Sequence, residues 1–472
     1  MSEDKTKIVV IGAGPGGYAA AFLAADLGMD VTLIDRRENP GGVCLYEGCI
    51  PSKALLHAAE VLNSAREAGE YGIGFGEPKI DLDRLRGWKN EVVTKLTGGT
   101  GTLGKSRKVN YVRGTAKFVS ATALKVDLVD GGAQDVSFEY AVIATGSLPT
   151  RLPFLPDSPR VMDSTGALEL ADIPERLLVL GGGYIGLEMT TVYASLGSKV
   201  TVVEMADQVL PGTDADLVRP LFARLEKLVD KIYLNTKVTA VKEEGDELVV
   251  TFEGPGVSEP EQRFDKVLAS VGRRPVTDGL GLENTAVRVD ERGFIKVDEQ
   301  LRTSERHIFA IGDIVGQPML AHKASHEGRV AVEAIAGHKV AFEPNAIPAV
   351  VFTDPEIAYC GITENEAKRR ERPVKIAKFP WAASGRALSL RRTEGMTKLV
   401  IDPETERVLG MGIVGHGAGE LIAEGVLAVE MGALAKDVAL SIHPHPTLSE
   451  TVMESAEIFF GTSTHVYRPL KK

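Results

Sequence analysis

Residues 7–35 read KIVVIGAGPGGYAAAFLAADLGMDVTLID. The stretch opens on a continuous apolar run, the pattern of a strand buried on both faces. Gly12, Gly14 and Gly17 follow at G-x-G-x-x-G spacing, then a helical stretch, Gly28, and a second apolar strand ending in Asp35. The first glycine permits a tight turn. The second lets backbone approach a pyrophosphate, and the third lets the helix pack close to the strand. A helix N-terminus offers unpaired N–H groups and the positive end of its dipole to phosphates. An acid at the end of the second strand can bond a ribose hydroxyl. Alone, such a glycine motif is weak. Here strand, helix and terminal acid fall into place together, so a dinucleotide site is expected.

The same design recurs. Residues 176–204 read RLLVLGGGYIGLEMTTVYASLGSKVTVVE, with Gly181, Gly183 and Gly186 at the same spacing and Glu204 as the terminal acid. Later strands also echo each other: residues 140–146 read YAVIATG and residues 266–272 read KVLASVG. Both end in glycine, as expected where a strand meets a ligand at its carboxyl end. Glu204 is followed by MADQVL, which offers no arginine to a 2′-phosphate. A carboxylate would repel that phosphate, so NAD rather than NADP is expected at the second site. Two such folds imply two dinucleotides side by side, with hydride passing between a nicotinamide and a second redox cofactor.

The chain has 472 residues, too many for one hydrophobic core. A proline cluster, Pro149, Pro153, Pro156 and Pro159, marks a boundary near residue 148. From about Pro344 apolar and polar residues alternate around a helical stretch, 419–440, which predicts an antiparallel sheet with helices on it. The net charge of −11 argues against nucleic acid or an anionic membrane as the main partner. No stretch approaches the ~20 apolar residues of a membrane helix. The polar start, Met1 to Lys7, has neither a signal-peptide nor a transit-peptide pattern, so the cytoplasm is the expected location.

Three cysteines do not make a secreted disulfide framework. Two of them, Cys44 and Cys49, lie in GVCLYEGCIPSK, residues 42–53, just before the helical stretch SKALLHAAEVLNSA. A zinc site needs about four ligands, and no second Cys or His cluster is near. A helix N-terminus lowers a thiol's pKa and makes the thiolate reactive. A redox-active pair is the best reading of these residues.

This segment resembles the GGxCxxxGCIPSK signature of the flavoprotein disulfide reductases, also called pyridine nucleotide-disulfide oxidoreductases. Ala144-Thr145-Gly146, the stretch from Val271 through Gly272 to Pro275, and Ile311-Gly312-Asp313 resemble further motifs of that family in the same order. The match spans nearly the whole chain. Within the family, HPHPTLSE (443–450), the tract 307–328 and FPWAASGRA (379–387) are similar to the bacterial members that oxidise dihydrolipoamide with NAD.

The resemblance implies an α/β fold: two Rossmann-like dinucleotide-binding domains, for FAD and NAD, plus a C-terminal α+β dimerisation domain. The implied divisions are 1–148 for FAD, 149–271 for NAD, 272–344 as a central domain completing the FAD site, and 345–472 for the interface. FAD contacts are implied for Gly12, Gly14, Gly17, Asp35, Lys53, Ala116, Thr145, Gly146, Asp313 and Ala321. NAD contacts are implied for Gly181, Gly183, Ile185, Gly186, Glu204, Val238, Val271 and Gly272. Cys44 would exchange with substrate and Cys49 would meet the flavin. Lys53 would sit by the flavin, paired with Glu188. His445 would be the general base, oriented by Glu450 and acting across a homodimer interface. Lipoyl domains and the dihydrolipoyl acyltransferase of 2-oxo acid dehydrogenase complexes, or the glycine cleavage system, are the implied partners. No metal is implied.

Other family members fit less well. Glutathione reductases carry arginines in the second nucleotide site. Mercuric and high-molecular-weight thioredoxin reductases need a C-terminal cysteine pair, and this chain ends THVYRPLKK. A purely binding role would leave the cysteines, His445 and Glu450 without a task. Plainer expectations hold elsewhere: packing for His443, a small buried hydrophobe for Cys360, and a solvated helix face for the basic run 368–372. The chain departs from the family pattern at Asp35, at Tyr46 and Glu47 between the cysteines, and at Pro444. If Glu47 lay near either sulfur, its charge would raise the thiol pKa.

Overall fold

The structure is a computed structural model that describes residues 4–467. The quoted stretch folds as the strand Asp4–Ile11, the helix Pro15–Asp26 and the strand Val31–Asp35. Both strands lie inside a parallel sheet, where continuous apolar runs cover two faces. In order, its members are the start of Asn110–Ser120, Val31–Asp35, Asp4–Ile11, the end of Ala133–Ile143, and Ile308–Ala310. The two long strands run past the parallel sheet and pair antiparallel with Ala123–Leu128.

The stretch 272–344, expected as a central domain, builds no sheet of its own among the described residues. Its strand Ile308–Ala310 is the edge of the first sheet, and its helix Ala321–Ile335 packs on Pro15–Asp26. The first nucleotide fold is therefore built from two separated pieces of chain, with the second fold inserted between them.

That second fold repeats the plan. Its parallel strands run Lys231–Tyr233, Lys199–Val203, Arg176–Leu180, Lys266–Ala269 and Val161–Met162. It too carries an antiparallel appendage, Lys237–Glu244, Glu247–Glu253 and Glu261–Phe264. The C-terminal unit is a five-stranded antiparallel sheet, ordered Ala349–Val351, Glu356–Gly361, Val408–Gly415, Met396–Ile401 and Lys375–Pro380. The helices Ala418–Glu430 and Glu450–Phe460 pack on it. The helical stretch expected at 419–440 is two helices, Ala418–Glu430 and Ala435–Leu440, because the chain turns at Gly432 with φ +63°.

Buried charge ties the C-terminal sheet to the second nucleotide fold. Lys398 Nζ, 1% exposed, lies 2.7 Å from Asp214, 2.7 Å from Asp216 and 2.9 Å from Glu364. Three carboxylates so close could cradle a metal ion, and here they hold the Lys398 ammonium together with that of Lys378, 2.7 Å from Glu364. Among the described residues, no helix is long and apolar enough to cross a membrane.

Candidate active site

The carboxyl ends of the first sheet's parallel strands open into a cavity of about 830 Å³. Every residue implied as an FAD contact lines it: Gly12, Gly14, Gly17, Asp35, Lys53, Ala116, Thr145, Gly146, Asp313 and Ala321. At two of its three glycines the turn has no room for a side chain. Gly12 takes φ +98°, and a Cβ there would stand 2.4 Å from Ala144 O; one at Gly17 would stand 1.8 Å from Gly12 O. A cavity of this size, with an open helix N-terminus at one end and polar groups along its length, fits FAD. At its middle Asp313 accepts a hydrogen bond from Ser147, which in turn accepts 2.7 Å from Arg273 Nε.

The second glycine motif has the same geometry. A Cβ on Gly181, at φ +101°, would stand 2.6 Å from Ser270 O, and one on Gly186 would stand 2.1 Å from Gly181 O. The two terminal acids also match. Asp35 accepts from Ala13 N at 2.8 Å and Arg37 N at 3.0 Å, while Glu204 accepts from Gly182 N and Ala206 N, each at 2.8 Å. Each acid thus bonds its own glycine turn. Gly183, Val238, Val271 and Gly272 stand at the same carboxyl edge, Gly272 with φ +115°. Ile185 faces the first cavity instead, with Tyr184 and Glu188 from the same helix, so the two nucleotide folds share a wall.

The thiols lie in that shared region. Cys44 sits on the short helix Gly42–Glu47, and Cys49 is itself the first residue of the helix Cys49–Glu67, which starts earlier than the sequence pattern implied. Both are free thiols lining the cavity. The Cys44 thiol donates to Cys49, which lowers Cys49 to about 7 against its burial, with help from the Lys53 charge. The same bond, with burial, pushes the Cys44 thiol far up. The reduced pair thus favours the thiolate at Cys49 and the thiol at Cys44.

Lys53 Nζ reaches both Glu188 oxygens, at 3.0 and 2.9 Å. Glu188 also accepts from Phe352 N at 3.1 Å, and the Phe352 ring lies 4.4 Å from Lys53 Nζ. This is no surface pair: the Glu188 side chain is 4% exposed, and the C-terminal unit supplies its third contact. Glu188→Ala would leave the Phe352 N–H and the Lys53 ammonium without their acceptor, at a cost of about 1–3 kcal/mol. A lower melting temperature of the FAD-loaded variant is the expected result.

The expected effect of Glu47 on the sulfurs is corrected. Its carboxylate pairs with Arg37 at 2.6 Å, and it is not among the leading causes of either cysteine's shift. Arg37 also stacks on the Tyr46 ring, 4.6 Å from its centre, while Tyr46 Oη bonds Asn39 at 3.2 Å. Both unusual residues between the cysteines are thus held against the loop after Asp35. Glu47→Gln is expected to leave the thiol titration unchanged.

His445 and Glu450 meet at 2.8 Å, Nδ1 to Oε1, and Glu450 also accepts from Thr447 N at 2.8 Å. They are not on the cavity wall, and the His445 side chain is 74% exposed. Within one chain, then, the histidine and the thiols stay apart. His443 is buried, bonded to Ser441 O at 2.8 Å and Glu424 at 2.7 Å. Cys360 lies in the C-terminal core, its thiol pushed up to about 12 by burial. The run 368–372 is exposed, with Arg370 paired to Glu366.

Sequence reasoning missed Ser147, Arg273, Tyr184 and Phe352. Ser147 adjoins a recognised motif, Arg273 lies inside the recognised stretch from Val271 to Pro275 without having been given a role, and Tyr184 follows Gly183; Phe352 carries no sequence signal.

A nucleotide cleft with a dithiol on its wall, beside a second nucleotide fold, defines an oxidoreductase that exchanges electrons between thiols and dinucleotides. The chain belongs to the pyridine nucleotide-disulphide oxidoreductases, whose family pattern matches residues 6–328, while that family's dimerisation domain matches residues 347–456. FAD and NAD are the cofactors of this family. The dihydrolipoyl dehydrogenase of Vibrio cholerae is 52% identical over 98% of this chain and 97% of its own. That of Haemophilus influenzae is 52% identical over 98% and 96%, and that of Geobacillus stearothermophilus 48% over 98% of both. Among solved structures, LpdA from Mycobacterium tuberculosis is 28% identical with a TM-score of 0.89, covering 96% of this chain and 99% of that one. The HOCl-induced flavoprotein disulfide reductase RclA from Escherichia coli, as its Cu(II) complex, is 29% identical with a TM-score of 0.86, covering 97% and 100%.

Proposed function

We propose that the chain oxidises dihydrolipoamide to lipoamide with NAD⁺, as a homodimer with FAD in the large cavity. The observation that carries this reading is the Cys44/Cys49 pair on the wall of that cavity, with Cys49 lowered to about 7. The near-full-length likeness to dihydrolipoyl dehydrogenases supports the choice of substrate.

The chemistry follows from the residues. In the resting enzyme Cys44 and Cys49 form a disulfide. A substrate thiolate attacks Cys44 Sγ, and Cys49 leaves as the thiolate that its environment stabilises. The second substrate thiol displaces Cys44 and departs as the cyclic disulfide. His445 of the partner subunit takes one substrate proton and the departing Cys44 sulfur gains the other as it becomes a thiol, while Glu450 fixes the histidine's tautomer and supports its positive charge. Lys53, held by Glu188, places a cation beside the Cys49 thiolate. Gly12, Gly14, Gly17, Asp35 and Asp313 would hold FAD, which would supply the two-electron chemistry between the thiols and the nicotinamide. Glu204, with no neighbouring arginine, selects NAD over NADP. Lipoyl domains of 2-oxo acid dehydrogenase complexes or of the glycine cleavage system would present the substrate in the cytoplasm. A net charge of −11 suits docking on a basic module of the acyltransferase.

The test is a spectrum of the purified protein followed by turnover of dihydrolipoamide with NAD⁺ or NADP⁺. A flavin spectrum with turnover on NAD⁺ is expected. A flavin spectrum without dihydrolipoamide turnover would overturn the substrate, and equal rates with NADP⁺ would overturn the role of Glu204.

A further inference from the structure

A second concavity, of about 430 Å³, lies on the outer edge of the first nucleotide fold and shares no residue with the large cavity. Four cations line it, Arg288, Lys296, Arg302 and Arg306, against one carboxylate, Asp298. None of the four lies within ion-pair distance of a carboxylate among the described residues. By contrast, Arg160, Arg176, Arg224 and Arg392 each hold two carboxylates.

The frame of this pocket is already built. Lys296 N donates to Arg288 O at 3.0 Å, and Arg288 N donates to Ser304 Oγ at 3.1 Å, so three separate stretches are stitched side by side. Asp298 Oδ1 accepts from Gln300 N and Arg302 N, each at 2.9 Å, and is occupied in shaping the turn. The Arg302 guanidinium lies 5.8 Å from the centre of the buried Phe309 ring, which is 1% exposed. Like charges around one concavity repel, and a bound anion relieves that cost.

We propose that this pocket binds a small anion carrying two linked phosphoryl groups. The charge fits, since each phosphoryl group carries about −1.5 to −2 near neutral pH. The arginine forks suit paired phosphate oxygens. The volume lies within the usual range of small-ligand pockets, roughly 300–1,000 Å³. No aromatic side chain lines the pocket, so a nucleobase finds no stacking surface. The concave shape, rather than a flat stripe, favours a small molecule over a nucleic acid strand.

The test uses the FAD-loaded protein with saturating NAD⁺, so that both nucleotide sites are filled, and titrates inorganic pyrophosphate by calorimetry. One saturable site per chain is expected, weakening as salt rises and at least tenfold tighter than for inorganic phosphate. Arg288→Ala combined with Arg306→Ala is expected to lose at least tenfold in affinity with dihydrolipoamide turnover and melting temperature unchanged. The single variant Lys296→Gln is expected to weaken binding severalfold and covers the case of a double variant that does not fold. The absence of saturable binding, equal affinity for phosphate and pyrophosphate, or unaltered affinity in the variants would overturn the proposal.

Discussion

Replacing Cys44 with serine is expected to abolish oxidation of dihydrolipoamide while leaving NADH oxidation by an artificial electron acceptor intact. The substrate step needs two sulfurs that alternate between a disulfide and a dithiol, and a hydroxyl cannot enter that cycle. The nucleotide contacts do not depend on the Cys44 sulfur, so cofactor binding persists. A finer consequence follows from the bond between the thiols. In the reduced protein the Cys44 thiol donates to Cys49 and is the main reason that Cys49 lies at about 7. Serine can still donate, so Cys49 should remain low in Cys44→Ser. In Cys44→Ala the donor is gone and burial is left less opposed, so Cys49 should titrate at higher pH. Ultraviolet thiolate absorbance across a pH series reads both. Equal titration of Cys49 in the serine and alanine variants would show that the bond is not the cause.

The second large effect concerns His445. His445→Gln is expected to reduce kcat by about 10²–10⁴-fold, the usual contribution of a general base. Glu450→Gln should cost less, because an amide oxygen can still accept from Nδ1 although its charge is lost. Burial alone would raise the Glu450 carboxyl, but the Thr447 N–H and His445 outweigh it and hold the group below its ordinary range, so it is ionised at neutral pH. The more searching experiment mixes chains. Cys44→Ser homodimers and His445→Gln homodimers should both be inactive. A heterodimer of the two contains one site with an intact cysteine pair and an intact histidine, provided that the histidine acts across the interface. Recovery of activity in the purified heterodimer is therefore expected. No recovery would place histidine and cysteines in the same chain's site, against the separation seen within one chain.

The parts of the fold written in consecutive residues were legible in the sequence. The 7–35 and 176–204 repeat, the two terminal acids and the cysteine pair each depend on spacing within about thirty residues, and periodicity reads such spacing well. What depends on distant pairing was not legible. Ile308–Ala310 is three residues long, and nothing local says that it returns to a sheet begun at Asp4. Phe352 meets Lys53 only because the C-terminal unit docks beside the helix Cys49–Glu67. Glu47 is a residue type that should disturb a neighbouring thiolate, and only the position of Arg37 shows that its charge is already spent. Ser147 was passed over, and Arg273 was read only as part of its motif, because their shared hydrogen bond beside Asp313 needs two distant strands side by side.

The return of Ile308–Ala310 to the first sheet sets an order of events on the ribosome. Strands complete by residue 143 cannot close their flavin-binding wall until Gly312, Asp313 and Ala321 have been made. At about 5–20 residues per second that wait is on the order of ten seconds or more. During it the second nucleotide fold, whose strands lie between residues 161 and 269, emerges complete. The nascent chain therefore finishes its inserted fold before the fold it interrupts, and the cofactor can be captured only after the insertion has been made.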